Sequence, residues 1–267
     1  MPEGHSIRRI ADVHWSKFGN KLLKASSPQG RFADGAMLIN EKHLTEISTH
    51  GKHLFLHFDE RIVHVHLGLY GWFTVTKNAN EQSTDSVRMR LSDDNYTSEL
   101  TGPTACDVIT LSEKERIHQR LGPDPLRDHD DPELAWVKIH KSKKTIGELL
   151  MDQSVIAGIG NVYRAELLFI SKLNPYTLGN QLERNTFDEI WNNAVRLLKD
   201  GSKDGRIRAV EQKHLELDEV AQGGCAQTSY AYKREGQNCR ICNSIIKMSE
   251  LKARRLYWCA ACQVKIS

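Results

Sequence analysis

The spacing of apolar residues changes period twice along this chain. Ile7, Ile10, Ala11, Trp15 and Phe18 recur at helical intervals, which predicts a first helix directly behind the opening MPEG. From about Leu22 to Leu111 the period shortens to two. HLFLHF and RIVHVHL alternate on either side of Asp59-Glu60, VRMRLS and YTSEL flank Asp93-Asp94-Asn95, and ACDVITL follows. Alternating runs broken by turn-forming residues predict two hairpins and a further strand. A helix leading into short antiparallel strands points to a β-sandwich, because each strand must bury one face against another layer.

Beyond Leu111 the helical period returns. Ser112 with Glu115 matches a capping box, Gly122-Pro123 stops that helix, and Asp131-Pro132 starts the next. Thr145 is placed to cap IGELLMDQ, and another helix is expected from Asn161 to about Lys172. Thr186 with Glu189 opens a last long helix whose stripe is Phe187, Ile190, Trp191, Ala194, Leu197 and Leu198. DGSKDGR and AQGGCAQTS are rich in Gly and Ser and are read as flexible. The pattern as a whole predicts a two-domain α+β protein. Residues 1–111 form an N-terminal β-sandwich domain with a leading helix, 112–232 a helical domain, and 233–267 a small module marked by cysteines.

Composition adds location and a candidate partner. Hydrophobic residues make up 39% of the 267, and no apolar run approaches the roughly 20 residues that span a bilayer. With no signal-like apolar core after MPEGHSIRR, the expected location is the cytoplasm, away from membranes. The net charge of +3 is unevenly spread: Lys233 to Lys265 carries a local +6, leaving −3 over the remainder. Basic charge concentrated near the C-terminal end suits a polyanion.

Four of the six cysteines follow one pattern: Cys239-x2-Cys242, sixteen residues, Cys259-x2-Cys262. Two such knuckles enclose one Zn²⁺ tetrahedrally and leave no open coordination position, so the predicted site is structural. Between them SIIKMSELKARRLYW alternates as a two-stranded hairpin carrying Lys247, Lys252, Arg254 and Arg255, which suits phosphates or a protein contact. Cys106 and Cys225 stand apart and read as a buried small side chain or an ordinary loop thiol. IAGIGN places glycines at 158 and 160 before a helix start, a ready phosphate site or simply a tight turn. Lys52 follows Gly51 at a strand entrance; Leu69 and Tyr70 lie between two glycines, as a wedge for a base stack or as a core edge. His64 and His66 share one strand face, either as metal ligands or as a polar sheet surface.

The first residues admit two readings. Pro2 presets φ for a helix start and Glu3 complements the helix dipole. Alternatively, loss of Met1 exposes the ring nitrogen of Pro2 as an amine nucleophile with a carboxyl group fixed beside it.

Six segments in order, MPEG, GKHLFLHF, HLGLYG, IAGIGNVYRAE, YKREGQNCRIC and RRLYWCAACQ, resemble the formamidopyrimidine-DNA glycosylase and endonuclease VIII family of base-excision repair enzymes. The resemblance implies a β-sandwich joined to a helical domain with a helix-two-turn-helix motif and a zinc finger. It favours the amine reading of Pro2, as the nucleophile that forms a Schiff base at C1′ of the damaged nucleotide. By the same alignment Glu3 is the general acid, and Lys52 bridges phosphate and departing base. Asn161 and Arg254 grip phosphates, Arg254 with an added part in δ-elimination and Arg255 as its alternative; Leu69 and Tyr70 fill the gap left by the flipped nucleotide. The implied protein is a monomeric glycosylase and abasic-site lyase that cuts DNA by β,δ-elimination, with one structural zinc and no other cofactor. YTSELTGPTACD lacks the Arg-Phe pair usual in the oxidised-purine branch, so the chain looks closer to endonuclease VIII and oxidised pyrimidines. Oxidised purines or abasic sites are the alternative substrates, and a zinc-ribbon DNA-binding protein without chemistry is the alternative class.

Overall fold

The computed structural model describes residues 2–77, 84–215 and 228–264. Its chain divides into two compact units, residues 1–120 and 121–267. The helix that follows residue 111 lies in the first unit, and the helices share the second with the four-cysteine module.

The first unit opens with α1 (Gly4–Phe18), which packs on the sheet through Ile7, Ala11, His14 and Phe18. Trp15, part of the predicted stripe, is 41% exposed. Eight strands follow: β1 (Leu22–Ser26), β2 (Lys42–His50), β3 (His53–Phe58), β4 (Arg61–His66), β5 (Trp72–Lys77), β6 (Val87–Ser92), β7 (Tyr96–Thr101) and β8 (Ala105–Ile109). They are hydrogen-bonded in the order β5-β7-β6-β1-β2-β3-β4-β8. The strand β1 joins two halves, pairing with β2 through Leu22 and Leu23 and with β6 through Lys24 to Ser26. Leu54, Leu56, Val63 and Val65 of one half meet Met89, Leu91 and Leu100 of the other in a shared core with Ile7 and Phe18. Passing one strand between two layers is how a sandwich turns a corner.

Both expected hairpins are present, at Asp59-Glu60 and at Asp93–Asn95. Asp59 takes φ 51, and Asp93 Oδ1 accepts the N–H groups of Asn95 and Tyr96, so each turn is held by the residue type that tolerates it. A short helix, α2 (Ala33–Ile39), was not expected; it buries only Ala36 and Ile39, too few positions to make a visible stripe. The capping box predicted at Ser112 and Glu115 is shifted by two residues. Helix α3 (Leu111–Arg120) is capped by Thr110 and Glu113, whose side chains bond each other's backbone N–H at 3.3 and 2.8 Å.

In the second unit α4 (Glu133–His140) starts behind Asp131-Pro132 as expected. Thr145 does form a capping box with Glu148, but α5 (Ile146–Leu149) is a single turn, shorter than IGELLMDQ. Helix α6 (Asn161–Ile170) and helix α7 (Arg184–Asp204) pack together. The latter begins two residues before Thr186 and runs through most of DGSKDGR, which is therefore helical and not a flexible linker; Gly205 at φ 73 ends it. Its six stripe residues are all buried. Most of AQGGCAQTS, with Cys225, lies outside the described residues. The unit closes with a hairpin of β9 (Ile246–Leu251) and β10 (Arg254–Cys259). Among the described residues no helix is long and apolar enough to cross a membrane.

Candidate active site and nucleic-acid interface

The sequence-predicted residues fall into two sets, one on each unit. On the first unit, Pro2 is half-buried and precedes α1 instead of occupying its first turn; Glu3 is the N-cap, with extended backbone at φ −119 and ψ 176. Glu3's carbonyl accepts the N–H groups of Ser6 and Ile7, but its side chain makes no capping bond to the helix. The carboxyl group is nonetheless fully buried. Burying a carboxyl is costly, and helix capping does not account for this one. His5, two residues further on, has its pKa pushed down to about 4, first by burial and then by the positive amino terminus. The histidine is therefore neutral near pH 7 and adds no cation beside the Pro2 nitrogen.

Lys52 sits in the two-residue turn that links β2 and β3, half-buried, with Gly51 before it at φ 58. The sheet on which α1 packs thus includes the strands that carry this turn. Leu69 and Tyr70 are 47% and 79% exposed in a tight turn closed by Gly71 N–H on the Leu67 carbonyl. Gly68 in that turn has φ 67, and a Cβ there would fall 1.9 Å from Thr104 Oγ1. Only glycine lets the loop lean on residue 104 and push the next two side chains outward. Cys106 is buried and its thiol is pushed up to about 12 by that burial, an inert small side chain as expected. His64 is buried and taken up by a bond to His53, 2.8 Å away, so that strand face is polar, as expected, but covered.

On the second unit Asn161 opens α6 behind Gly160, and its amide donates to the Arg255 carbonyl at 2.9 Å. Arg164, one turn later and 1% exposed, donates to Asn161 Oδ1, and to the same Arg255 carbonyl at 3.0 Å. Two side chains of α6 thereby clamp the strand that bears Arg254 and Arg255, both of which face solvent. Sequence reasoning missed Arg164. Its one signal was a cation inside the otherwise apolar run NVYRAELLF. Glu166 was missed for the same reason. Burial raises its pKa, yet its carboxylate accepts the N–H groups of Tyr230, Ala231 and Tyr232 at 2.6, 3.0 and 2.9 Å.

The β9–β10 hairpin turns through Lys252 and Ala253, both with positive φ, 50 and 55. That is the two-residue geometry that matches strand twist, here without the usual Asn-Gly. Lys252 Nζ lies 3.6 Å from Glu148 on α5, and Tyr176 Oη is 2.7 Å from Ser249 Oγ, so the hairpin is held on the helical layer along its length. At its base Cys239, Cys242, Cys259 and Cys262 converge, their sulfur atoms all within 4.8 Å of one another. Two of the Sγ–Sγ separations are 3.8 and 3.5 Å. A tetrahedral ion with metal–sulfur bonds of about 2.3 Å requires roughly 3.8 Å, so four thiolates fit one ion with no position left for water. Gln263 supports the cluster from within, accepting Cys259 N–H at 2.9 Å and donating to the Leu173 carbonyl at 3.0 Å.

Comparison with known proteins agrees with this layout. Residues 1–102 match the formamidopyrimidine-DNA glycosylase N-terminal domain, and residues 121–211 the formamidopyrimidine-DNA glycosylase H2TH domain. Endonuclease 8 1 of Mycobacterium tuberculosis is 42% identical, covering 98% of this chain and all of the relative. Endonuclease 8 of Escherichia coli is 29% identical over 98% of the chain, and the formamidopyrimidine-DNA glycosylase of Cronobacter sakazakii 27%. Among solved structures, the Lactococcus lactis formamidopyrimidine-DNA glycosylase in complex with DNA containing an abasic site superposes with a TM-score of 0.81 at 19% identity, over 98% of this chain and all of the other. With a relative this similar along its whole length, the chain belongs to the formamidopyrimidine-DNA glycosylase and endonuclease 8 family of DNA-repair glycosylases.

Proposed function

We propose that the protein is a DNA glycosylase and abasic-site lyase that removes oxidised pyrimidines through the nitrogen of Pro2. The observation that carries this reading lies just before α1: a fully buried carboxyl at Glu3, not used as a cap, covalently next to Pro2. Loss of Met1 makes that nitrogen a terminal secondary amine. An α-amine has a reference pKa near 8, so a usable fraction is uncharged at neutral pH, unlike a lysine at roughly 10.4.

The uncharged nitrogen attacks C1′ of the extruded nucleotide as the bond to the base breaks. The base leaves with the electron pair of that bond and takes up the proton that the nitrogen sheds on bonding to C1′, which restores the nitrogen lone pair. Glu3 gives its proton to O4′ as the sugar ring opens, and the nitrogen lone pair closes an iminium at C1′. Because proline's nitrogen is secondary, this iminium is already cationic. It drains electrons from C2′, whose proton is lost as the 3′ phosphate leaves; a second elimination releases the 5′ phosphate, and water hydrolyses the iminium to free the amine. Lys52 contacts phosphate and the departing base. Asn161, Arg254 and Arg255 hold phosphates, and Leu69 and Tyr70 occupy the gap in the stack, which must open because C1′ is unreachable in an intact duplex. Cys239, Cys242, Cys259 and Cys262 would hold one structural zinc ion, which keeps the basic hairpin folded and takes no part in the chemistry. The protein acts alone on DNA.

Two features favour pyrimidine lesions: the identity to endonuclease 8 1 of M. tuberculosis, and the missing Arg-Phe pair in YTSELTGPTACD. Borohydride trapping on duplex DNA containing an abasic site tests the chemistry. The expected result is a covalent complex that disappears when Met1 is retained or the amino terminus is acetylated. Full trapping with the amino terminus blocked would assign the nucleophile elsewhere, and no trapping by any form would favour a DNA-binding protein without chemistry.

A further inference from the structure

The turn carrying Lys52 is tied down on both sides by histidines. His50 ends β2 and His53 begins β3, and the two face each other as the last pair of the ladder. Each is bonded to a histidine of another element. His50 Nδ1 lies 2.7 Å from His118 Nδ1 on α3, and His53 Nδ1 lies 2.8 Å from His64 Nε2 on β4. Phe55 fills the space between the pairs, its ring stacked 5.2 Å from His118 and 5.3 Å from His64. His66, opposite His53 in the register, brings its ring to 4.8 Å. The charged side chains around this cluster are Lys52, Lys114 and Arg120, with Glu46 beside His57 and Asp107 opposite His64.

We infer that the His50–His118 and His53–His64 pairs are positioning residues for Lys52, holding the turn rigid while adding no negative charge to it. The inference rests on the assignment of Lys52 to base release. A bond between two imidazole nitrogens needs one donor and one acceptor, so each pair holds with both rings neutral and fails when both are imidazolium. Burial pushes His53 down to about 3 and His64 to about 4, and His66 is lowered by burial and by Lys52, which keeps these rings neutral at working pH. Chemistry dictates the residue type. Carboxylates at these sites would hold the turn equally well but would compete with a phosphate for the lysine, and apolar residues could not direct it. Positioning matters because a displacement of about 1 Å can cost roughly 100-fold in rate.

Single-turnover base release from duplex DNA bearing an oxidised pyrimidine tests this, with trapping on preformed abasic DNA as the control for fold and nucleophile. His50→Leu is expected to slow base release about tenfold while trapping is retained. His50→Asn, which keeps a polar atom at the Nδ1 position, should restore most of the rate. In a Lys52→Ala background, His50→Leu should cost less than about twofold further, because coupled residues are not additive. His53→Leu probes the same turn from the other strand and substitutes should His50→Leu fail to fold. If Lys52→Ala is slow but both leucine variants release base at the native rate, or slow it equally with and without Lys52, the positioning role is wrong and the lysine assignment stands. If Lys52→Ala itself releases base at the native rate, the lysine assignment falls and takes this inference with it.

Discussion

Glu3 flanks the start of α1 and His14 lies within it, and both are buried. His14 is structural: its Nδ1 donates to the Ile10 carbonyl at 2.8 Å, which leaves Nε2 to accept from Ser98 Oγ at 2.7 Å. Burial pushes its pKa down to about 4, as it does for His5 and His64, with His53 lower still at about 3. In the unfolded chain each titrates near 6.5. Below that pH the unfolded state binds more protons than the folded one, so the stability these rings contribute is complete above about 6.5 and is lost as pH falls toward 4. The melting temperature is therefore expected to decline between pH 7 and pH 5; a flat profile across that window would show that the rings are not held neutral. The adjacency of Pro2 and Glu3 is plain in MPEG, whereas the burial of the Glu3 carboxyl appears only in the folded chain. The histidine pairs were not legible in the sequence, since His50 and His118 are brought together only when α3 packs on the sheet.

Elements were legible where pattern alone determines them. The two hairpins and the stripe of α7 follow from local alternation and 3.6-residue spacing, and they formed as expected. Starts and stops were less so: two boxes overlap in TLSEKE, and Thr110 with Glu113 caps α3 in place of Ser112 with Glu115. Arg164 and Glu166 illustrate a different failure. Their charges fall on buried positions of α6, where pattern reading expects apolar residues, and the Arg255 carbonyl and the N–H groups of Tyr230 to Tyr232 that receive them come from segments over sixty residues away. Each backbone N–H left without Glu166 would cost about 1–3 kcal/mol, which is why the charge is tolerated there. The basic hairpin depends on its cysteines in the same way, since its strands are too short to stand alone. Cys259→Ser, or chelation, is expected to disorder it and abolish binding to duplex DNA. Unchanged affinity would mean that the hairpin does not carry the phosphate contacts assigned to Arg254 and Arg255.

At the scale of the molecule, each unit carries a distinct share of the proposed chemistry, with the amine, carboxyl, lysine turn and wedge on the first and the phosphate-binding asparagine and arginines on the second. The uneven charge foreshadowed that division, with the local +6 confined to the region that holds the basic hairpin. Composition did not foreshadow the choice of lesion. Every step of the proposed reaction passes through a single nitrogen, so the most direct test is to locate the bond. Borohydride-reduced complex with abasic-site DNA, digested and sequenced by mass spectrometry, is predicted to carry the sugar remnant on the nitrogen of Pro2, in a chain lacking Met1. A remnant mapped to Lys52 or any other lysine, or an active chain that still begins with methionine, would contradict the account.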